Sequence, residues 1–438
     1  MKPANETPRL VASAEPLGPA FDLLANYRPG GFFFERAGLG VSTAGVAARI
    51  GSPGGPARIA RLARRVQAAL DAVQRDGGGV GDRGGPADRP APIAVGGIPF
   101  DFGWPADLVI PSRAVIRRAA GLTWQLDVRP EGVAPLEADR QRWTGRTVPH
   151  EAFSEIQLRA DPEPLRYVDA VRRATREIGA GRLRKIVLAR SIVVDAGREL
   201  DAKQLLWRLR AVDPDCYAFA SPELELGPEL VSARGVLVGA SPELLVSKQG
   251  REVRATPLAG SAPRFGDPDE DRASAGRLFD SEKDREEHAV VVEDVAAALG
   301  GICDEMVFAK EPELLGTANV WHLATPFRGR VKESVTSVLD AVAALHPTPA
   351  VCGMPREAAR RALGRFESMD RGCYAGPVGW VDANGDGEWA IALRCAEISG
   401  TTARLFAGAG IVADSVPELE LDETERKFRA LLDSLRWG

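Results

Sequence analysis

The chain has 438 residues, 45% of them apolar and 27% charged, with a formal net charge of −5. These values suit a globular body of one large domain or two to three smaller ones, and the lack of a basic excess argues against nucleic acid or an anionic lipid surface as partner. Five scattered cysteines without a C-x-x-C pair argue against a disulfide frame or a zinc site, and no run of about 18 apolar residues offers a membrane span. With no apolar signal core after the first methionine, a cytoplasmic location is expected.

Residues 1–20 are polar and Pro-rich and are expected to be flexible. Gly31–Glu35 (GFFFE) reads as a short buried strand, and Ala57–Arg75 as a helix with Ile59, Leu62, Val66, Leu70 and Val73 on one face. The glycine-rich 76–92 segment reads as a flexible loop rather than a nucleotide loop, since no strand leads in and no helix follows. Strands are expected around Ile93–Phe102 and Leu108–Pro111, then a helix over Leu165–Gly179, a β-branched strand over Lys185–Val194 and a helix over Ala202–Val212. Further strands are placed at Cys216–Ala220, Gly235–Gly239 and Leu244–Lys248. The pattern then predicts one long helix over Arg272–Leu299 and shorter helices at Val335–Leu345 and Arg356–Leu363. A hairpin of Gly376–Asp382 and Glu388–Arg394 across Asn384-Gly385 is read as a two-residue turn. A strand from Arg404 and a helix over Glu418–Leu435 close the chain. Strands that follow one another without intervening helices favour an α+β fold with a largely antiparallel sheet.

Against this frame, several charged residues sit beside apolar runs that would bury them, which is unfavourable unless they pair or bind a metal. Lys185 opens a strand (RKIVLAR). As a general base it would need a neutral amine, and burial or a nearby cation would bring a lysine down from its free value of about 10.4; a solvated strand-edge lysine is the bland alternative. Glu243 (GASPELL) follows a Ser-Pro turn between apolar residues, where desolvation would raise its pKa and make it a proton donor. Asp284 and Glu287 stand at i, i+3 on one predicted helix, and Glu420 and Glu423 repeat the spacing on the last one. Two such pairs could hold a hard cation through oxygen, as Mg²⁺ prefers; the alternative is a charged solvent face. The four histidines, His150, His288, His322 and His346, are far apart in sequence. Two glycine-containing segments, Pro257–Ser261 and Ala407–Gly410, read as turns whose backbone N–H groups could approach an oxyanion. Arg394, at the end of a predicted strand, would want a carboxylate, and Tyr374 could add a hydroxyl to the same anion.

Taken in order, KIVLAR, GASPELL, PLAGS, SEKDREEH, WHLATPF, LHPTPA, GDGEWAIALRCA, LFAGAGIV and DETERK resemble the chorismate-utilising enzymes, and most closely the isochorismate synthases that feed catechol siderophores. The resemblance is dense from Asp161 to Lys427 and thinner upstream; the 76–92 loop and PELELGPEL at 222–230 depart from it as expected surface insertions. It implies a single large α+β chorismate-binding domain, two halves with antiparallel sheet flanked by helices, divided here into a 21–160 N-terminal part and a 161–438 catalytic core. It further implies Lys185 as the base that activates water toward C2 of chorismate and Glu243 as the acid for the departing C4 hydroxyl. Glu287 and Glu423 match Mg²⁺ ligands, with Glu420 and Asp284 close by, through water. Arg394 and Tyr374 match groups for the pyruvyl carboxylate, and Gly260, Ser261 and Gly408 match further substrate contacts. Lys185, together with Ala259 in place of a lysine in the PLAGS segment, favours water over ammonia as nucleophile. A salicylate synthase, which also eliminates pyruvate, is the alternative enzyme, and a chorismate-binding regulatory paralogue the non-enzyme one. The expected partner is the small molecule chorismate, the expected assembly a monomer, and the product would serve siderophore, menaquinone or salicylate synthesis.

Overall fold

The computed structural model describes residues 9–18, 21–75, 89–118, 122–134, 156–221 and 235–436. The 222–230 segment and residues 76–88 of the 76–92 loop lie outside them. Among the described residues the strands form three sheets of 13, 9 and 3 strands flanked by helices. Pairing is antiparallel throughout, except where Leu10–Pro16 runs parallel to Gln74–Arg75. The α+β reading therefore holds, with the antiparallel bias that consecutive strands imply.

The 13-stranded sheet carries much of the site. Its order places Lys185–Asp195 beside Thr402–Ile411, then Cys395–Ser399, Val236–Ser241, Tyr217–Ala220 and Phe33–Arg36. Strand alternation explains why it can be buried on both faces. Tyr217 and Phe219 join the larger core between the sheets, while Ala218 and Ala220 face a second core built with Leu205, Leu206, Leu209, Phe428 and Leu431 from two covering helices. The GFFFE run divides likewise: Phe32 and Phe34 go to the first core and Phe33 to the second. Leu10–Pro16, inside the segment expected to be flexible, pairs along its length with Thr123–Pro130, so main-chain bonding orders a stretch with little apolar signal.

Three local expectations are corrected. The long helix is two, Pro268–Asp280 and Glu282–Ile302, divided at Ser281, whose extended backbone (φ −69°, ψ 113°) ends one helix while its hydroxyl accepts the Asp284 N–H of the next. An N-cap serine favours a fresh start over continuation. The two glycine segments are not turns: Gly260 lies within strand Leu258–Pro263 at an irregularity in register, with φ +70°, and Gly408 and Gly410 lie within Thr402–Ile411. The hairpin between Pro377–Asp382 and Gly387–Ile391 is not closed by a two-residue turn. Gly385 has positive φ but Asn384 does not, and the Asp382 carboxylate accepts the N–H groups of Asn384 and Asp386. An aspartate that bonds the backbone two residues on sets a wider turn than Asn-Gly alone suggests.

Candidate active site

Helix Glu282–Ile302 enters the larger core through Val291, Val295 and Leu299, one per turn. One turn before Val291 the same face carries Glu287, which the core therefore buries. Opposite stand the first two turns of helix Pro417–Arg436, with Glu420 and Glu423. Lys185 begins its strand beneath both. The lysine is wholly enclosed, its Nζ 3.0 Å from Glu287 Oε1. That contact is an ion pair without hydrogen-bond geometry, so the amine keeps unused donors. Gly410 makes room for the pair: a Cβ there would lie 2.1 Å from Glu287 Oε1 and 3.1 Å from Lys185 Cε.

These elements wall a cleft of roughly 780 Å³, counting its open mouth, and Glu243, Gly260, Ser261, Glu287, Tyr374, Arg394, Gly408 and Glu423 all line it. Lys185, Asp284 and Glu420 are not part of its wall. Lys185 lies behind Glu287. Asp284 packs behind Gly260, where a Cβ would meet its Cβ at 3.1 Å. Glu420 is turned to Lys283, 2.9 Å away.

The carboxylates fit a hard cation in kind: all are oxygen donors, and they repel one another. Burial pushes Asp284 up, and the charges of Glu287 and Glu423 push it further. Burial and Glu423 likewise raise Glu420. Burial also presses Glu423 upward, but the Lys427 ammonium 2.7 Å away, the Ser261 hydroxyl and Lys283 outweigh it and hold it below the usual range. Among the described residues no three carboxylate, histidine or cysteine side chains already surround one point; lysines occupy the spaces between these. The donor set suits Mg²⁺, which takes few carboxylates and keeps several waters.

Glu243 differs from all of these. Set between strands Val236–Ser241 and Leu244–Gln249, it is buried, and burial lifts its carboxyl from 4.5 to about 8, against the pull of a Leu258 N–H and of Lys185 and Lys427. It thus carries a proton at neutral pH and faces open space, the condition for a general acid.

Arg394 does not end a strand. It lies between Gly387–Ile391 and Cys395–Ser399 with φ +47°, and its Nη2 donates to His322 Nε2 at 2.8 Å. Its nearest carboxylate among the described residues, Asp213, is 3.8 Å from Nη1, so no protein carboxylate grips the guanidinium closely there. Burial and the Arg394 charge drive His322 far below its usual pKa, which leaves it neutral. Its Nδ1–H then donates to the Gly260 carbonyl at 3.2 Å while Nε2 accepts from Arg394. Tyr374 stacks on Phe406 with 5.1 Å between centroids, its hydroxyl beside Gly408.

A family model described as chorismate binding enzyme matches residues 125–436. The chain belongs to the chorismate-binding enzyme family. It is 37% identical over 413 residues to the isochorismate synthase DhbC of Bacillus subtilis, covering 94% of this chain and 95% of that one. It is 37% identical over 342 residues to the isochorismate synthase EntC of Escherichia coli K12, covering 78% of this chain and 81% of the other. The crystal structure of DhbC from Bacillus anthracis superposes with a TM-score of 0.78 at 35% identity, covering 95% of this chain and 99% of that one. Within this chorismate-binding fold, sequence reasoning missed His322, Lys283 and Lys427. Each acts through a partner distant in sequence or a turn away on a charged helix. The signals that could have found them were the buried WHLA run around His322 and the i, i+4 spacing of Glu423 and Lys427.

Proposed function

We propose that the chain is an isochorismate synthase, an isomerase that adds water at C2 of chorismate and expels the C4 hydroxyl. The observation that carries this reading is Glu243: a cleft-facing carboxyl that keeps its proton to about pH 8. Hydroxide leaves poorly without a proton, and a placed donor is worth roughly 10²- to 10⁴-fold.

In this reading Lys185 takes the proton from the attacking water, and Glu243 hands its own to the departing oxygen. Arg394, held by neutral His322, receives the enolpyruvyl carboxylate, with the Tyr374 hydroxyl beside it. Gly260, Ser261 and Gly408 bring backbone and hydroxyl groups to the substrate. Glu287 and Glu423 would hold Mg²⁺, with Asp284 and Glu420 behind them. When bound, the ion supplies a Lewis acid and a counter-charge for the ring carboxylate. The nucleophile and the leaving group are both hydroxyls, so the reaction is reversible and needs no redox cofactor.

The test is incubation with chorismate and Mg²⁺ followed by chromatography. Isochorismate as the main product supports the proposal. Salicylate with pyruvate would make the chain a salicylate synthase, an amino product from ammonium would replace water as nucleophile, and binding without turnover would make it a regulatory protein. Lys185→Ala should abolish most turnover and leave chorismate affinity nearly intact; a wild-type rate in that variant would remove the base from the mechanism.

A further inference from the structure

Arg371 lines the cleft, yet its guanidinium is spent largely on the protein. Strand Lys185–Asp195 is paired along nearly its whole length with Thr402–Ile411 on one side. On its other side it pairs at its start with Gly353–Met354 and at its end with Gln157–Asp161, and no strand residue pairs with Val187–Arg190 between them. The Cys352 carbonyl accepts the Val187 N–H at 2.9 Å, and two side chains bond the rest of that edge. Glu367 Oε1 accepts the Ala189 N–H at 2.8 Å, and Arg371 Nη2 donates to the Val187 carbonyl at 2.7 Å. The two are themselves joined, Nε to Oε2 at 2.9 Å and Nη2 to Oε1 at 2.5 Å. Nη1 reaches the Val351 carbonyl at 2.7 Å, and the guanidinium lies over the Phe100 ring, 4.4 Å from its centroid. Burial would push Arg371 down, but the Glu367 carboxylate outweighs it and keeps it charged.

Val187 and Val351 are both cleft residues, one on the sheet and one on the turn that ends in Cys352. The Arg371 carbonyl also accepts the Tyr374 N–H at 2.8 Å, which starts the turn carrying that tyrosine. The guanidinium therefore ties two pieces of the cleft wall, and the backbone carbonyl of the same residue holds a third. We propose that Arg371, held by Glu367, is a positioning residue: the pair stands in for a missing strand and sets the width of the slot that receives the substrate ring, without itself binding substrate. This rests on the isochorismate synthase reading. A lysine at this position could not reproduce the planar fork that reaches both carbonyls and the carboxylate.

The test is steady-state kinetics of the full-length protein with chorismate and Mg²⁺, for the wild type, Arg371→Lys and Glu367→Gln, with a thermal melt of each. Loosened walls should lower kcat by roughly tenfold to a hundredfold, as small misplacements do, while KM stays within about twofold because substrate-binding groups are intact. A raised KM at unchanged kcat would mean that Arg371 holds the substrate directly, and would overturn the proposal. A lower melting temperature with unchanged kcat per folded molecule would show a purely structural pair, and would also overturn it. If Arg371→Lys does not fold, Glu367→Gln decides, because the carboxamide keeps the volume and the acceptor for Ala189. A wild type that makes no isochorismate defeats the functional reading, and the positioning role with it; an active wild type beside two unimpaired variants defeats the positioning role alone.

Discussion

The two ends of the cleft handle charge in opposite ways. At the helix end, Glu287, Glu420 and Glu423 face Lys185, Lys283 and Lys427 across ion pairs of 2.7–3.0 Å, while Asp284 beside them accepts the Ser281 hydroxyl. Ammonium groups on flexible stems can give way when another cation arrives. At the strand end, Arg394 is held by a neutral, fully hydrogen-bonded imidazole whose other nitrogen is tied to the Gly260 carbonyl. The first end is an exchangeable charge reservoir and the second a preset receptor. A site built this way can admit a metal at one end and keep an anion's geometry fixed at the other.

Glu243 belongs to neither scheme, and removing its proton should give the largest effect. Glu243→Gln should lower kcat by roughly 10²- to 10⁴-fold, and wild-type activity should fall as pH rises through about 8. The same shift has a stability consequence. A carboxyl whose folded value is raised from 4.5 to about 8 binds more protons folded than unfolded between those limits, so its contribution destabilises the fold progressively as pH rises across that window. Glu243→Gln should therefore be more stable than the wild type above pH 8, by an amount on the order of a few kcal/mol, and no different at pH 4; melts at both pH values check the sign.

At the helix end, Glu287→Ala and Glu423→Ala should each weaken Mg²⁺ binding by more than about a hundredfold, beyond what loss of an outer partner does. Titration calorimetry reads this, and unaltered affinity would break the reservoir half of the comparison. Gly410→Ala is subtler. Gly410 has no positive φ, and the atom in its way is the end of the Glu287 side chain, so the fold should tolerate the methyl while the carboxylate is displaced. Mg²⁺ affinity should fall by about tenfold, in the range of altered ligand orientation. At the strand end, His322→Asn should raise chorismate KM by only about fivefold, the size of one ordinary hydrogen bond, because the amide keeps an acceptor for Arg394; a change in Mg²⁺ affinity as large as that from Glu423→Ala would show that the two ends are not separate.

Much of this arrangement was legible in the sequence where burial and spacing agree. The β-branched run after Lys185 and the i, i+3 carboxylates on two helices each gave their element and its face. What was hidden depends on pairing. Gly408 and Gly410 look like turn residues but occupy a strand interior, because Glu287, Lys185 and Tyr374 approach that strand closely. The break at Ser281 was masked by a helical pattern on both sides, since a cap acts through one backbone bond and leaves the periodicity almost unchanged. The charge of Arg394 was legible, but not the imidazole of His322, which the fold brings in from 72 positions away to hold it. Glu367 and Arg371 carry no mark in the sequence beyond their i, i+4 spacing; only the gap in the sheet reveals what the pair replaces.

The account depends on water entering at one ring position while a hydroxyl leaves from another. Turnover of chorismate with Mg²⁺ in ¹⁸O-labelled water, read by mass spectrometry of the isolated product before appreciable back-reaction, tests this directly. The arrangement of Lys185 and Glu243 predicts isochorismate carrying one solvent oxygen at C2. Isochorismate with no solvent oxygen would contradict it.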